Sequence, residues 1–107
     1  MIDISRDKVA EVIVLARELD RAEAEFDGFI AGLNLEEKVA LVAVMWIGRG
    51  SYEPEDYDEA LETAAMEATT PTRDYLKGTP HLANHLETGM ELLGLSVSDA
   101  MDDLVGG

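Results

Sequence analysis

Nine apolar residues run without interruption from Val39 to Ile47. Such a run is too short to cross a bilayer, which takes about 20 residues, and too apolar to lie on a surface. Its flanks decide what it forms. Asn34 can cap a helix N-terminus, and Glu37, three positions on, can close a capping box onto it. At the other end Gly48 or Gly50 can stop a helix, with Arg49 placed where a cation suits the helix dipole. Within the run Val39, Val42, Ala43 and Trp46 recur at helical spacing, and Leu41, Val44 and Met45 cover most of the remaining circumference. A helix that is apolar all round is a buried one. A strand is the competing reading of a short apolar run, but the caps and the length favour helix. The sequence therefore predicts a buried central helix over about residues 34–48.

The other segments read as helices that would pack around it. Ser5 or Asp7 can cap a first helix, with Val9, Val12, Ile13, Ala16 and Leu19 on one face and Phe26, Ile30 and Leu33 continuing the pattern. This predicts a long N-terminal helix over about 5–32, continuous or bent, with Glu11, Arg17, Glu18, Arg21 and Glu25 on its solvated face. Beyond the central helix, Pro54 suits a first turn, and Tyr57, Ala60, Leu61, Ala64 and Ala68 share a face that leaves Met66 exposed. Thr69-Thr70-Pro71 ends that segment, and Pro71 opens a short helix stopped by Gly78. Thr79 as cap and Pro80 as first residue begin the next, whose core face is Leu82, Leu86, Met90 and Leu93, with Gly94 as its stop. Ser96 or Ser98 starts a final turn or two with Ala100, Met101 and Leu104 apolar, and residues 105–107 are expected to fray. No stretch alternates with period two, and neither a linker nor an internal repeat is visible. The expected fold is all-α: a single compact, bundle-like domain (residues 1–107) of five to six helices around the central one.

Charge narrows the function classes. The chain has 23 acidic and 8 basic residues, a formal charge of −15. This argues against nucleic acid, whose phosphate backbone needs clustered Lys and Arg, and against anionic membrane surfaces. Three readings of the acidity remain: solubility, adaptation to salt, or a basic partner, of which solubility is the plainest. Glu53 to Glu67 holds seven acids and no base, and those at Glu55, Asp56, Asp58 and Glu59 suit a helix N-terminus. There are no cysteines, which excludes disulfides, thiolate metal sites and cysteine nucleophiles. The first twelve residues lack the basic start and apolar core of a signal peptide, so the expectation is a cytoplasmic protein.

Few polar constellations stand out. His81 and His85 are four apart, a spacing that lets two imidazoles meet one metal on a helix. The Glu expected beside the first His of a metallopeptidase is missing, and a third ligand would have to come from elsewhere, such as Glu62 or Glu91. Two polar residues beside a core face are the simpler reading, so neither a metal nor a cofactor is expected. Gly48-Arg49-Gly50 with Tyr52 admits two readings. One is a pocket for an anion or a peptide carboxylate, with Arg49 as a bidentate fork and Tyr52 as a wall. The other is a helix stop in which Arg49 bonds terminal carbonyls and pairs with acids of the next helix; it is the favoured one. Trp46 is expected as a core anchor whose N–H needs an acceptor, and Tyr75, beside Arg73 and Asp74, as a ring packed with its hydroxyl exposed. The candidate binding surface is Arg49, Tyr52, Arg73 and Tyr75. Paired carboxylates such as Asp56/Glu59 arise by chance in so acidic a chain, each serine has a capping explanation, and no Ser/His/Asp arrangement is recognisable.

The stretch LVAVMWIGRGSYEPEDYDEALETA, followed by TRDYLKGTPHLANHLETGMELLGLS, resembles the bacterial, proteobacterial-type family known as domain of unknown function 3775. The resemblance is carried by Trp46, Gly48, Arg49, Gly50, Tyr52, Tyr57, Ala60 and Leu61, and then by Tyr75, Leu76, Gly78, Thr79, Pro80, Leu86 and Gly94. It covers roughly residues 33–98. The chain differs from the family pattern in a shorter acidic region after the first helix and in His81 and His85. The resemblance implies a small helical protein and no assigned activity. The leading functional expectation is thus a non-enzymatic protein–protein interaction module acting on a protein partner or on itself as a homodimer. The alternatives are a helical protein binding a small molecule or a metal, and an acidic decoy for a basic partner.

Overall fold

The predicted capping box starts the central helix. Asn34 Oδ1 accepts from the Glu37 N–H at 2.7 Å, and Glu37 Oε1 accepts from the Asn34 N–H at 3.0 Å. The computed structural model, which describes residues 2–67 and 71–97, is all-α, with no strand among those residues. Its helices are α1 (Arg6–Arg17), α2 (Leu19–Ala31), α3 (Leu35–Arg49), α4 (Tyr57–Met66), α5 (Thr72–Lys77) and α6 (Leu82–Leu92), with a 3-10 turn at Pro54–Asp56. In α3 every residue from Ala40 to Ile47 is buried. The helix stops at Gly50, whose φ of 92° is the left-handed cap that glycine accepts without strain. Gly48, the other candidate stop, is helical and lies inside α3.

The core is assembled on α3. Helix α6 lies along it, α4 packs on it, α1 packs on α2 and α6, and α2 covers α5. Each helix contributes its apolar stripe: Val9, Val12 and Ile13 from α1, Phe26 and Ile30 from α2, Ala60 and Ala64 from α4, Leu76 from α5, and Leu82, Leu86 and Met90 from α6. Met66 is 83% exposed, as its position off the apolar face requires. Ion pairs join neighbouring elements at the rim. Lys8 of α1 meets Glu37 of α3, and this hydrogen bond, with that from the Asn34 N–H, holds the Glu37 carboxyl below the usual carboxylate range. Lys77 of α5 sits 2.9 Å from Asp27 and 3.0 Å from Glu23 of α2. Exposed pairs of this kind contribute tenths of a kcal/mol and mainly set register.

Two expectations are corrected, and a third group falls outside the described residues. The stretch 5–32 is two helices that part at Glu18 (φ −108°, ψ 22°), with a kink inside the second at Ala22 (φ −120°, ψ 25°). The reason is size: a straight helix over that stretch would be about 40 Å long, and the molecule measures 35 × 29 × 23 Å. Bending lets Phe26 and Ile30 reach the core. The sixth helix begins at Leu82, not at Pro80, because the Thr79 hydroxyl donates back to the Tyr75 carbonyl at 2.9 Å and so closes α5 instead of capping α6. His81 takes up the turn between them in the left-handed region, φ 58° and ψ 33°, the one non-glycine among the described residues to do so. Third, Ala68, Thr69 and Thr70, the turn expected around Ala100, Met101 and Leu104, and the tail 105–107 lie outside the described residues.

Helices α3 and α6 approach each other closely. A Cβ added to Gly48 would stand 1.7 Å from the His85 carbonyl oxygen, and one added to Gly89 would stand 2.2 Å from that of Val44. The Val44–Gly48 turn and the His85–Gly89 turn therefore touch backbone to backbone, closer than the 8–10 Å axis spacing of helices separated by side chains. Gly48→Ala and Gly89→Ala should each destabilise the fold by about 2–4 kcal/mol, because the obstacle is backbone that cannot rotate away. Gly28→Ala, in α2 with nothing within 4 Å, should stabilise it by about 0.5–1 kcal/mol through helix propensity. Urea denaturation of the three variants checks both signs.

Candidate functional site

The α3–α6 contact decides what gathers at the C-terminal end of α3. With Gly48 against the His85 carbonyl, Arg49 is carried next to His85. The turn after α5 then brings Tyr75, Thr79 and His81 to the same place. Together with Asp74 these side chains line an open cleft of about 510 Å³.

One wall of the cleft is anchored in the core. Trp46 is 8% exposed, and its indole N–H donates to the Tyr75 hydroxyl at 2.8 Å. This supplies the acceptor that a buried Trp needs, and it corrects the expectation that the Tyr75 hydroxyl merely faces water. A phenol that accepts one hydrogen bond still has its own proton to donate. Tyr52 stacks on Trp46 with ring centroids 5.7 Å apart and planes 20° from parallel. It supports the wall from within and does not line the cleft.

Arg49 behaves differently from the reading that favoured a helix stop. Its Nε donates to Ser51 Oγ at 3.0 Å, and among the described residues no carboxylate lies within ion-pair distance of it. Lys8, Arg17, Arg21 and Lys77 each have one. Among the described residues Arg6, which donates to the Ser96 carbonyl, and Lys38 also lack one, but of these three cations Arg49 is the one that borders this cleft. His85 is held below the ordinary imidazole range, first by desolvation and then by the positive charges of Arg49 and His81. The two imidazoles stand edge to face with centroids 6.4 Å apart. Because His81 precedes α6 in a left-handed turn, the pair lacks the helical i, i+4 geometry that motivated a metal. Among the described residues no three of His, Asp and Glu are grouped to hold one, and neither Glu62 nor Glu91 joins the pair.

The structure thus brings Arg49, Tyr75, His81 and His85 together and attaches Tyr52 through Trp46. Arg73 lies elsewhere. It is 3.7 Å from Asp74 and lines a separate groove with Lys38 and Pro71. The acids from Glu53 to Glu67 are all exposed, and none is ion-paired among the described residues. Tyr57, whose pKa burial pushes up to about 12, is not part of the cleft. Sequence reasoning missed the pairing of Arg49 with His85 and the role of Thr79. The available signal was a glycine inside each of two apolar helical patterns, Gly48 and Gly89, which marks close packing.

Fold and cleft together define an all-α protein built on one buried helix, with a small cleft that gathers Arg49 and two histidines on an acidic body. The chain belongs to the family described as Protein of unknown function (DUF3775), whose pattern matches residues 23–95. No curated protein and no solved structure matches it. The matched stretch includes α3, α5, α6 and every cleft residue named above.

Two substitutions test the construction of the cleft. Tyr75→Phe removes the acceptor of a part-buried indole N–H and should cost about 1–2 kcal/mol, with a change in Trp46 emission. His81→Gly relieves a left-handed backbone and should stabilise the protein by about 1 kcal/mol. Denaturation followed by Trp46 fluorescence measures both.

Proposed function

We propose that this protein is a non-enzymatic binding module and that it binds through the Arg49 cleft. One observation carries the reading: a guanidinium with no carboxylate partner among the described residues borders an open cleft beside two imidazoles. An arginine that paired with the next helix would have one of the neighbouring acids as its partner, and Arg49 donates to Ser51 instead. The rigid wall of Trp46, Tyr75 and Tyr52 supports the same reading, since a preformed surface lowers the entropic cost of binding.

The chemistry in the cleft favours binding over catalysis. The Thr79 hydroxyl is engaged with the Tyr75 carbonyl. Among the described residues neither histidine has a hydrogen bond to a hydroxyl it could activate or to a carboxylate that could orient it, the arrangement nucleophilic catalysis needs. Among the described residues no helix is long and apolar enough to cross a membrane, and the formal charge of −15 disfavours polyanionic partners.

Trp46 is the only tryptophan, so its indole N–H signal reports on the cleft wall. A panel of a tripeptide, a nucleoside monophosphate, a hexose and an aromatic alcohol, titrated into the isotope-labelled protein, should include at least one compound that shifts Trp46 and His85 saturably. In a folded Arg49→Gln variant that shift should be lost. Shifts that arise only elsewhere, or none, would remove the cleft as a binding site. Turnover in a broad hydrolase screen that disappears in the same folded variant would overturn the non-enzymatic reading.

A further inference from the structure

Building on that binding role, we infer that the occupant of the cleft presents an oxyanion, a carboxylate or a phosphate-type group, held between Arg49 and His85 with the Tyr75 hydroxyl as a third donor.

The donor set is the first argument. The Arg49 Nε is tied to Ser51, which orients the guanidinium and leaves its terminal nitrogens to form a fork. That fork matches the two oxygens of a carboxylate or phosphate. The Tyr75 hydroxyl accepts from Trp46, so the hydrogen it has left is a donor. The lining thus offers Arg49, Tyr75 and two imidazoles on the donor side. The one carboxylate among the lining residues, Asp74, has Arg73 at 3.7 Å.

The second argument is how these groups are held. His85 is brought beside Arg49 by the Gly48 contact with its own backbone carbonyl, so their backbones cannot separate without parting α3 from α6. His81 is kept in the cleft lining by a left-handed backbone that a non-glycine residue adopts at a cost. Strained residues of this kind gather at ligand sites. Placing a proton on His85 beside Arg49 costs energy when the site is empty, and an anion between them offsets that cost. A cation or a neutral ligand would leave it in place.

The third argument is proton linkage. The charged and titratable groups that share the cleft with His85 are Arg49 of α3, Asp74 and Tyr75 of α5, and His81 of the preceding turn; from α1, which also packs on α6, Arg17 pairs with Glu87 and does not line the cleft. Desolvation, Arg49 and His81 keep His85 neutral to lower pH than a free imidazole. A bound anion opposes the two charge effects and pairs with the imidazolium, so it raises the affinity of His85 for a proton. By linkage, the proton raises affinity for the anion, and binding tightens as pH falls through the imidazole range.

The experiment titrates acetate and sulfate, with acetamide and dimethyl sulfone as uncharged counterparts, and follows Trp46 and His85 by NMR. Acetate or sulfate should bind saturably and its uncharged counterpart at least about tenfold more weakly. Arg49→Gln should lose binding, and Arg49→Lys, which keeps the charge without the fork, should fall between. Sulfate, whose charge is constant between about pH 5.5 and 8, should bind up to about tenfold more tightly per pH unit across the His85 titration. His85→Gln should flatten that dependence. Preference for acetate identifies a carboxylate ligand, and preference for sulfate a phosphate-type one. Uncharged compounds that bind as tightly as the anions would overturn the oxyanion while leaving the cleft as a binding site. Anion shifts that persist in Arg49→Gln would overturn it as well. A failure of both these anions and the broader ligand panel would remove the binding role with it.

Discussion

The contact on which this structure depends is the meeting of two helix backbones. Helices ordinarily keep each other at a distance set by their side chains. Here Gly48 and Gly89 remove the side chains at the crossing, and the carbonyls of His85 and Val44 occupy the freed space. Close approach brings α-carbon hydrogens within reach of carbonyl oxygens, a weak interaction that recurs at such crossings. It also lets Met90 and Leu86 of α6 press against a helix that is already apolar on every side. The contact is rigid in a way that side-chain packing is not, because neither backbone has a rotamer through which to give. The backbone at the C-terminal end of α3 inherits that rigidity, which sets where the Arg49 backbone lies relative to that of His85.

The charge distribution is best understood from the same end of the molecule. A formal charge of −15 produces a field that repels anions at long range, but salt screens it over about 8 Å. Recognition of an anion would therefore be a short-range matter, decided by hydrogen bonds and by the few charges that line the cleft. The exposed acids of α4 and its preceding turn leave Arg49 alone, although they follow it closely in sequence. Most are placed where a helix N-terminus favours them, and α4 packs on α3 through Ala60 and Ala64, which directs its acidic side outward. Solubility and an unneutralised arginine are thus compatible consequences of one helix orientation.

Much of the fold was legible because it is written in local signals. Asn34 and Glu37 announced the start of α3, the apolar run announced its burial, and Pro71 and Gly78 bracketed α5. What was not legible depended on the size and shape of the whole. Nothing near Glu18 breaks a helix; the break is imposed by the dimensions of the core that Phe26 and Ile30 must reach. Thr79 carries a good capping side chain, and only the nearby Tyr75 carbonyl diverts it. The periodicity of α6 shows that Leu86 and Met90 face inward but not how near the backbone comes. For that reason the pairing of Arg49 with His85, far apart in sequence, could not be read from spacing. The two histidines suggested a metal only while both were placed on a helix.

The turn from Tyr75 to Leu82 connects these points. Its four intervening features act in series: the Tyr75 hydroxyl holds Trp46, its carbonyl holds Thr79, Thr79 ends α5, and His81 reverses the chain into α6. A turn built for stability alone would place glycine or asparagine at the left-handed position, where either costs less than histidine. Gly78, three residues earlier, is helical in its backbone and does not need to be glycine for that purpose. The chain thus has a glycine where the turn can do without one and a histidine where the turn would favour one. That inversion is hard to explain by folding, since α6 would start at the same place with His81 replaced. It is explained if the imidazole itself is required at the edge of the cleft, where Arg49 and His85 already stand.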